Sequence, residues 1–547
     1  MLRRTLRRAS PAIAAVGLFT LAACGGGGGS GAPTPSPTPA PSPTPSPSPT
    51  PAPMLTALTH QPPEPVLLAL LLTDGRILVQ AVPDPTHGVS AADFFTLTPD
   101  AAGDYANGTW RKVASPPAGY APWATNEAVL PDGRVLFVGG EYNQDQYDIP
   151  FKPSGLTDMS ALYDPVFDKW TMIPAPAGEN YIGEPAGVLL PDGRYIFGDK
   201  LGNRMFAFDP ATASWSALPF SGYSADFAEM GFALLPNGAV LTVSVRDAPK
   251  AWHFVPQTGA WIADPDTPAN LTEQSGGGGI GYGPRPAMTV GGVAYPAAPA
   301  GTYFAPGEIG PQMLRPDGTV WVVGAATSGH SAHTAVYHPG PSAAQPGSWT
   351  AGPDLPNLDN ADDAGAALLV NGNVLLAANS DALYEFNGTT IVRTRAPPAA
   401  AAGTFLLPLP SGQVLVMTPG EATAVRLYTP LGGPLAAWRP TITAAPGAVT
   451  RAASAQVTGT QFNGLSEAAK YGDEFDAATN YPLVRIRNVG TGHVVYCRTH
   501  GYPVGVATGN ALVTTTFDVP AGAEAGASKL TVVANGIASA EADVMVL

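Results

Sequence analysis

The chain has few cysteines, few charged residues and an excess of acids over bases. Its 547 residues include two cysteines, which excludes a disulfide-rich scaffold. Charged residues make up 13% and hydrophobic residues 45%, so the chain is not disordered overall and can bury large cores. The 27 Lys and Arg against 42 Asp and Glu give a net charge of −15, which disfavours nucleic acid and anionic lipid as partners.

The N-terminal residues predict a lipoprotein signal peptide over 1–23. Four arginines precede the run AIAAVGLFTLAA, which at about twelve residues is too short to span a bilayer but suits a signal-peptide core. The tetrapeptide Leu21-Ala22-Ala23-Cys24 matches the bacterial lipobox, which implies cleavage before Cys24 and lipid attachment to its thiol. An ordinary secretory signal with a chance cysteine is the alternative.

Residues 24–53 are predicted to be a linker that holds the rest of the protein away from a surface. Glycines are followed by the proline-rich stretch APTPSPTPAPSPTPSPSPTPAP, which is typical of a semi-rigid spacer. We therefore expect a protein of the bacterial cell envelope, held to the membrane by lipid alone and facing the periplasm or the exterior. Because glycine rather than aspartate follows Cys24, we expect the outer membrane in a two-membrane cell.

A hairpin signature occurs seven times along the chain. In EAVLPDGRVLFVGGEYN, two apolar runs flank Pro-Asp-Gly, and this turn favours a β-hairpin because glycine readily takes φ > 0. The equivalent turn glycines are Gly75, Gly133, Gly193, Gly238, Gly318, Gly372 and Gly412. Such repetition indicates a repeated structural unit.

Tryptophans keep register with these turns. They lie at positions 110, 170, 215, 261, 349 and 438, and four of them precede the next turn glycine by 23 residues, as from Trp110 to Gly133. Trp261 and Gly318 are 57 apart, so this junction carries an insertion of 57 − 23 = 34 residues. Constant spacing predicts an all-β fold with a seven-bladed, kelch-like β-propeller over 54–443, at about 55 residues per blade. A β-sandwich array is the alternative.

Residues 444–547 lack the propeller register and are predicted to form an immunoglobulin-like β-sandwich. Short alternating segments such as YPLVRIRNV and KLTVVANGI support strands that bury one face. Cys497 is expected to be a small core residue rather than a reactive thiol.

The two domains together resemble bacterial galactose-oxidase-like proteins. The blade markers with VGGEYN, and the C-terminal segments TGTQFNGLS, YGDEFDAATNYPLVRI and VVYCRTH, are similar to the propeller and early-set domain of galactose and glyoxal oxidases. The resemblance implies copper on the propeller axis, held by two tyrosines and two histidines, with one tyrosine cross-linked to cysteine. It also implies that a loop of the C-terminal domain enters the channel, and His500 in CRTHGYP fits that loop.

The copper site implied by the resemblance is disfavoured by the residues present. Residues 54–443 contain no cysteine for the cross-link. No Tyr-His pair occurs in the segments that lead into the turn glycines, because Tyr337-His338 lies in a strand-three position on the opposite side of the blade. Only His500 matches one of the four ligands. Whether the chain is an enzyme is left open, but an active copper-radical oxidase is not expected.

Acidic residues recur where the innermost strands begin. Nine residues before the turn glycine, or one residue earlier, lie Glu184, Glu229, Glu308, Asp362 and Asp363. Entrances to inner strands share one face of a propeller with the loops after the second strands, around the channel mouth. Converging carboxylates raise one another's pKa unless a cation offsets their charge.

Two interpretations of these acids remain open. Glu184, Glu229, Glu308 and Asp363 provide oxygen ligands for a hard cation, and calcium is the first choice. Alternatively, each acid caps backbone amides or pairs with an arginine such as Arg285. The insertion after blade four is expected on the mouth face, where Tyr282, Arg285 and Tyr303 are candidate lid residues.

Three functions compete on this reading. A surface-anchored binding or interaction protein for a carbohydrate or protein ligand ranks first, since the oxidase ligands are missing. A divergent copper-radical-type oxidase ranks second. A glycosidase or lyase that uses two mouth carboxylates as acid and base ranks third.

Overall fold

A computed structural model describes most of the chain from residue 53 onward. The described residues are 53–84, 88–143, 156–272, 279–304, 307–327, 329–394, 402–418, 425–472 and 475–547. The predicted signal peptide, the lipidation site Cys24 and nearly all of the linker lie outside them. The described chain contains two 3-10 turns, Pro356–Leu358 and Ala436–Trp438, and no α-helix. None of its segments is a helix long and apolar enough to cross a membrane.

In the described chain, thirty-four strands precede the C-terminal sheet, and most belong to seven four-stranded antiparallel blades. Those up to the end of blade four are β1 (Met54–Ala57), β2 (Val66–Leu71), β3 (Ile77–Ala81), β4 (Phe94–Thr98), β5 (Thr109–Lys112), β6 (Pro122–Trp123), β7 (Asn126–Val129), β8 (Val135–Val138), β9 (Tyr142–Asn143), β10 (Ser160–Asp164), β11 (Lys169–Ile173), β12 (Ala186–Leu189), β13 (Tyr195–Gly198), β14 (Met205–Asp209), β15 (Ser214–Ala217), β16 (Ala233–Leu234), β17 (Val240–Val243), β18 (Ala251–Val255) and β19 (Ala260–Ala263). Blade one is β2–β5, blade two is β7, β8, β10 and β11, blade three is β12–β15, and blade four is β16–β19.

The predicted insertion and the last three blades follow. Their strands are β20 (Gly279–Tyr282), β21 (Met288–Val290), β22 (Val293–Tyr295), β23 (Gly301–Phe304), β24 (Gln312–Leu314), β25 (Val320–Val323), β26 (Thr334–His338), β27 (Ser348–Ala351), β28 (Gly365–Leu368), β29 (Val374–Ala377), β30 (Leu383–Phe386), β31 (Ile391–Arg393), β32 (Phe405–Pro408), β33 (Val414–Met417) and β34 (Val425–Thr429). Blade five is β24–β27 and blade six contains β28–β31. The insertion forms two nested pairs, β20 with β23 and β21 with β22.

The ring is closed by the N-terminal strand. Blade seven has the order β32, β33, β34, β1, so β1 supplies its outermost strand. The sequence pattern grouped Trp438 with the tryptophans of the blades. Trp438 lies in a 3-10 turn after blade seven, where its ring packs beside Gly372. The seven-bladed, all-β prediction is confirmed, while the closing strand comes from the other end of the propeller sequence.

The repeated turns and tryptophans occupy equivalent places in the blades. All seven turn glycines have φ between 78° and 86°, the left-handed conformation that favours glycine. Trp170 lies in the fourth strand of blade two, with its ring centroid 5.0 Å from those of Phe94, Phe137 and Tyr163. Because Phe94 belongs to blade one, this tryptophan packs between neighbouring blades.

The C-terminal strands form one curled sheet that is consistent with a β-sandwich. They are β35 (Thr441–Ala444), β36 (Ala448–Val449), β37 (Ser454–Thr460), β38 (Ala469–Tyr471), β39 (Leu483–Asn488), β40 (Val494–His500), β41 (Leu512–Asp518), β42 (Gly526–Ala534), β43 (Ile537–Ala538) and β44 (Ala542–Val546). Excluding β38, the order is β35, β37, β41, β40, β39, β42, β44, β36, with β43 on β42. The sheet curls at β40, whose first half pairs with β39 and whose last residues pair with β41. Cys497 is fully buried in this core, and burial raises the pKa of its thiol, which confirms its structural role.

The two ends of each blade differ in what they carry. We call the end where inner strands begin and second strands finish the mouth, and the opposite end, which carries the seven glycine turns, the turn end. The sandwich lies at the turn end, since Gly501 N donates to Pro131 O at 2.8 Å, in the turn of blade two. Arg498 also donates to Asp132 O in the same turn.

Candidate functional site at the channel mouth

The acidic residues found by spacing lie at the mouth. Glu184 precedes β12, Glu229 precedes β16, and Asp363 precedes β28, the inner strands of three blades. Glu229 and Asp363 have φ of 54° and 45°, conformations that non-glycine residues adopt at some cost, so the chain holds these carboxylates in constrained turns. Glu184, Glu229 and Glu308 are each at most 7% exposed.

Lys200 joins the glutamates into one ion cluster. Its Nζ lies 2.8 Å from Glu184 Oε2, 3.2 Å from Glu229 Oε2 and 3.5 Å from Glu141 Oε1. The Lys200 side chain is completely buried. We call Lys200, Glu141, Glu184 and Glu229 the Lys200 cluster. It links blades two, three and four, because Glu141 and Lys200 follow the second strands of blades two and three.

Electrostatics keep the ammonium of Lys200 charged. Burial acts to lower the pKa of Lys200, but Glu141, Glu184 and Glu229 outweigh it and hold that pKa well above its ordinary value. Burial raises the pKa of Glu229, with Lys200 opposing and Glu141 adding to the rise. Burial also raises the pKa of Asp363 to about 6, and the nearby Glu229 and Glu141 contribute. Asp363 is thus within electrostatic reach of the cluster.

The remaining acids differ in their contacts. Asp362 accepts hydrogen bonds from the side-chain amides of Asn360, at 2.7 Å, and Asn379. These partners are side-chain amides, so the contacts are neither backbone capping nor pairing with an arginine. Glu308 is 7% exposed and lies shortly before β24.

The insertion reaches the Lys200 cluster through Tyr303. Tyr303 Oη donates to Glu141 Oε1 at 2.9 Å, and Lys200 Nζ lies 5.5 Å from the centroid of the Tyr303 ring. A cation at this distance over an aromatic face is attracted by the ring quadrupole. Tyr303 therefore links the insertion to the carboxylate of Glu141 and to the ammonium of Lys200.

Three further contacts hold the insertion across blades two and three. Arg285 Nη2 donates to Asp158 Oδ2 at 2.8 Å, and both side chains are at least 96% buried. Tyr295 Oη donates to Ile173 O at 2.7 Å. Tyr181 contacts the backbone of the insertion through its hydroxyl, and its ring centroid is 4.8 Å from that of Tyr282. The candidates Tyr282, Arg285 and Tyr303 thus belong to one lid, which starts after blade four and crosses to blade two.

A second group of charges lies beside the lid. Arg204 Nη2 lies 3.3 Å from Asp199 Oδ2 and also contacts Glu179 Oε1. The two carboxylates are almost fully buried, while the Arg204 side chain is 46% exposed. Burial raises the pKa of Glu179 to about 8, with Asp199 contributing and Arg204 opposing. Burial and the neighbouring Asp199 thus favour the protonated form of Glu179 over its carboxylate.

The channel is filled by a segment other than the one expected. Strand β38 pairs with β28, the inner strand of blade six, so the C-terminal domain adds a strand at the axis. Lys470 on β38 forms ion pairs with Asp476 at 2.7 Å and with Glu467 at 3.3 Å. Glu467 Oε2 also accepts a hydrogen bond from Leu234 N of blade four at 2.9 Å. Asp476 is the last residue of the sequence YGDEFD, and Glu467 and Lys470 lie just before that sequence.

His500 lies elsewhere, and this corrects the expectation that CRTHGYP enters the channel. Its Nε2 is 3.1 Å from Asp518 Oδ1 on the neighbouring strand β41, and its side chain is 30% exposed. The next residue bonds to the turn of blade two, at the turn end. Because β40 continues through His500 as a paired strand, the histidine cannot approach the mouth acids.

The mouth residues do not fit the copper-radical site of galactose-oxidase-like proteins. The propeller sequence has no cysteine for the thioether, His500 is at the turn end, and Lys200 supplies an ammonium among carboxylates. Within the described ranges, no group of three His, Cys, Asp or Glu is arranged to hold a metal ion. Calcium at Glu184, Glu229, Glu308 and Asp363 stays a prediction, in a cluster that already contains one cation.

Sequence reasoning missed Lys200, Glu141 and the channel segment. A signal for the first two was present, since VGGE and FGDK end the second strands of adjacent blades at similar distances from Gly133 and Gly193. The residue type was a second signal, because the positive charge of a lysine at this position can offset the negative charge of the glutamates predicted at the mouth.

Comparisons with known proteins give a fragmentary likeness. No protein-family profile matches the chain. Over 124 residues the chain is 32% identical to the Kelch-like protein terF of Aspergillus terreus. The matched segment covers 20% of this chain and 25% of that protein. The chain thus matches about a quarter of the length of this curated relative.

Among solved structures, the chain is similar to a fungal alcohol oxidase of the AA5 family in complex with copper. The TM-score is 0.48 at 12% identity, over 90% of this chain and 98% of that one. By its own strand order, this chain is a seven-bladed β-propeller protein, and one fragment of it is similar to a kelch-like protein.

Proposed function

We propose that this protein is a lipid-anchored binding or interaction protein, and that its ligand binds at the lid beside the channel mouth. The observation that carries the proposal is the Lys200 cluster. Its three glutamates close on a buried ammonium, and the lid residue Tyr303 contacts both charges. Such a cluster stabilises a preformed surface, whereas residues 54–443 contain no cysteine for the oxidase cross-link.

The edge of the lid supports a carbohydrate or protein ligand. Tyr282 is partly exposed, and Arg204 beside it leaves almost half of its side chain accessible. Burial raises the pKa of Tyr282 and Asp199 adds to the rise, so the aromatic residue lies within electrostatic range of the charged group. An aromatic face next to fixed polar groups suits sugar rings as well as peptide side chains.

The predicted lipid at Cys24 supports an envelope location, in the outer membrane if the cell has two membranes. In this proposal the acidic body contributes nothing to membrane affinity. The anchor keeps the lid available to soluble glycans or to proteins of the envelope.

A glycan array and a pull-down from envelope extracts test the function. We expect wild-type protein to retain a defined glycan or protein, and Tyr282→Ala or Arg204→Gln to weaken this binding at least tenfold. Phe167→Ala is the matched control, because Phe167 is a 77% exposed aromatic in a turn between β10 and β11, at the turn end. Equal loss in the control, or oxidation of alcohols by the purified protein, would contradict the proposal.

A further inference from the structure

The junction between propeller and sandwich contains a second cleft, far from the mouth. It has a volume of about 300 Å³ and is lined by Ala102, Gly103, Asp104, Ser411, Gln413, Arg485, Val494 and Tyr496. The first three residues belong to the turn between β4 and β5 of blade one, and Ser411 and Gln413 to the turn between β32 and β33 of blade seven. The other three lie on β39 and β40, so two blades and the sandwich build it together.

The walls of this junction cleft are held in place by contacts on both sides. Val494 N donates to Ala101 O at 2.8 Å, which ties β40 to the turn of blade one. Gln413 Nε2 donates to Thr429 Oγ1 at 3.0 Å, and Ser411 Oγ donates to Gln413 Oε1 at 3.0 Å. Because the first contact joins the two domains and the other two fix the turn of blade seven, the cleft is preformed in the folded protein.

The polar groups of the cleft combine a donor and an acceptor. Arg485 Nε donates to Thr531 Oγ1 at 3.1 Å, and the guanidinium also bonds to Tyr496, which leaves further N–H donors at the wall. Asp104 Oδ1 accepts from Ala106 N at 2.8 Å. Within the described chain, Asp104 Oδ2 makes no hydrogen bond. One acid and one base make the lining neutral overall.

We propose that the junction cleft binds a neutral polyhydroxylated ligand of monosaccharide to disaccharide size. Vicinal hydroxyls match this lining, because one donates to the Asp104 carboxylate while its neighbour accepts from Arg485. The hydroxyl of Ser411 and the amide of Gln413 add neutral polar contacts, and Tyr496 and Val494 face the apolar C–H groups of a sugar ring. The volume is at the lower end of the range for small-ligand sites. This site extends the proposed glycan binding to a second location and is independent of the lid.

Hydrogen exchange with defined sugars tests the proposal. The probes are galactose, glucose, maltose and cellobiose at millimolar concentration, added to the folded protein without its lipid. We expect at least one of them to slow exchange of backbone amides in 100–106 and 485–496, with less effect in 281–303.

Three variants give the test its controls. Ser411→Trp removes no buried contact, since Ser411 is exposed, but it fills the cleft, and we expect it to abolish the protection. Arg485→Gln should weaken binding at least tenfold. Arg487→Gln is the matched control, on the same strand but paired with Glu541 at the surface, and should bind as wild type does.

The outcomes separate this site from the lid. Protection that persists in Ser411→Trp, or no protection in the cleft segments with any of the four sugars, overturns the junction site. Binding that is lost in Tyr282→Ala but unchanged in Ser411→Trp supports the lid alone. Protection of the cleft in a protein that binds nothing at the lid supports the junction site and contradicts the function proposed for the mouth.

Discussion

Lys200 and Glu229 form an ion pair between two blades, with Nζ and Oε2 3.2 Å apart and both side chains at least 94% buried. Glu229 lies before blade four and Lys200 after the second strand of blade three. A buried charge that loses its partner is strongly destabilising, because no solvent compensates it. The ion pair therefore makes the mouth important for the stability of the propeller.

Lys200→Met should lower the free energy of unfolding by about 3–5 kcal/mol, since Glu141, Glu184 and Glu229 lose their common cation. Urea unfolding measures the change. Lys250→Met is the control, because Lys250 and Asp266 form an exposed pair, and it should change stability by less than about 0.5 kcal/mol. A Lys200→Met protein as stable as wild type would show that the carboxylates need no compensation.

Calcium should raise the melting temperature of Lys200→Met more than that of wild type. Removal of the ammonium leaves three glutamates that offer oxygen ligands to a hard cation, and an ion that binds only the folded state stabilises it by mass action. Melting curves with chelator and with excess calcium measure the effect. If calcium raises the melting temperature of wild type and Glu229→Gln abolishes this rise, calcium binds beside Lys200. If calcium leaves the melting temperature of all three proteins unchanged relative to chelator, the calcium hypothesis is wrong.

Glu179→Gln should flatten the pH dependence of stability between about pH 5 and 8. The folded-state pKa of Glu179 is raised to about 8, above its ordinary value, so its stabilising contribution is complete at low pH. That contribution is lost progressively as pH rises from about 5 and is gone once pH has passed the folded-state pKa, with a slope of up to about 1.4 kcal/mol per pH unit.

Urea unfolding at several pH values gives this slope. Glu541→Gln, at an exposed acid, is the control and should keep the wild-type slope. The same slope in Glu179→Gln and wild type would contradict the raised pKa.

Arg285→Met should loosen the lid. Asp158 would lose its buried partner, and the lid would lose its link to blade two, at a cost of about 1–3 kcal/mol. Hydrogen exchange of amides in 281–303 should become at least tenfold faster. Arg111→Gln, at an exposed arginine paired with Asp168 on blade two, should leave it unchanged. Unaltered exchange in Arg285→Met would mean that Tyr295 and Tyr303 suffice to hold the lid.

Cys24→Ser should release the protein from the membrane, because the proposed anchor is the lipid on this thiol. Fractionation of cells that express each form measures the change, and Cys497→Ser controls for loss of the other cysteine. Persistent membrane association of Cys24→Ser would refute the lipobox interpretation.

The blades were predictable because each depends on local sequence. A turn glycine such as Gly133 and a tryptophan such as Trp170 occupy the same position in each blade in which the repeat contains them. The acids at the mouth were also predictable, since Glu184 and Glu229 share one offset from their turns, which fixes their place in the blade.

The Lys200 cluster, the closing strand of the ring and the position of His500 could not be predicted, because they depend on contacts between segments that are distant in sequence. Lys200 meets three glutamates only because loops of three blades converge, and no single spacing reports such a meeting. Strand β1 ends at Ala57 and its partner β34 begins at Val425, at opposite ends of the propeller sequence, so no local pattern indicates that the two strands pair. His500 was misplaced because its neighbours suggested a loop, whereas β40 remains paired through this residue.

The pairing of β1 with β34 makes the first and last propeller residues depend on each other. It joins Met54 to Thr429 at one end and Ala57 to Arg426 at the other. Blade seven can therefore be completed only after residue 429 has been synthesised, so the ring closes late. Proteolytic trimming past Ala57 would leave β34 as an unpaired sheet edge, which is a template for aggregation.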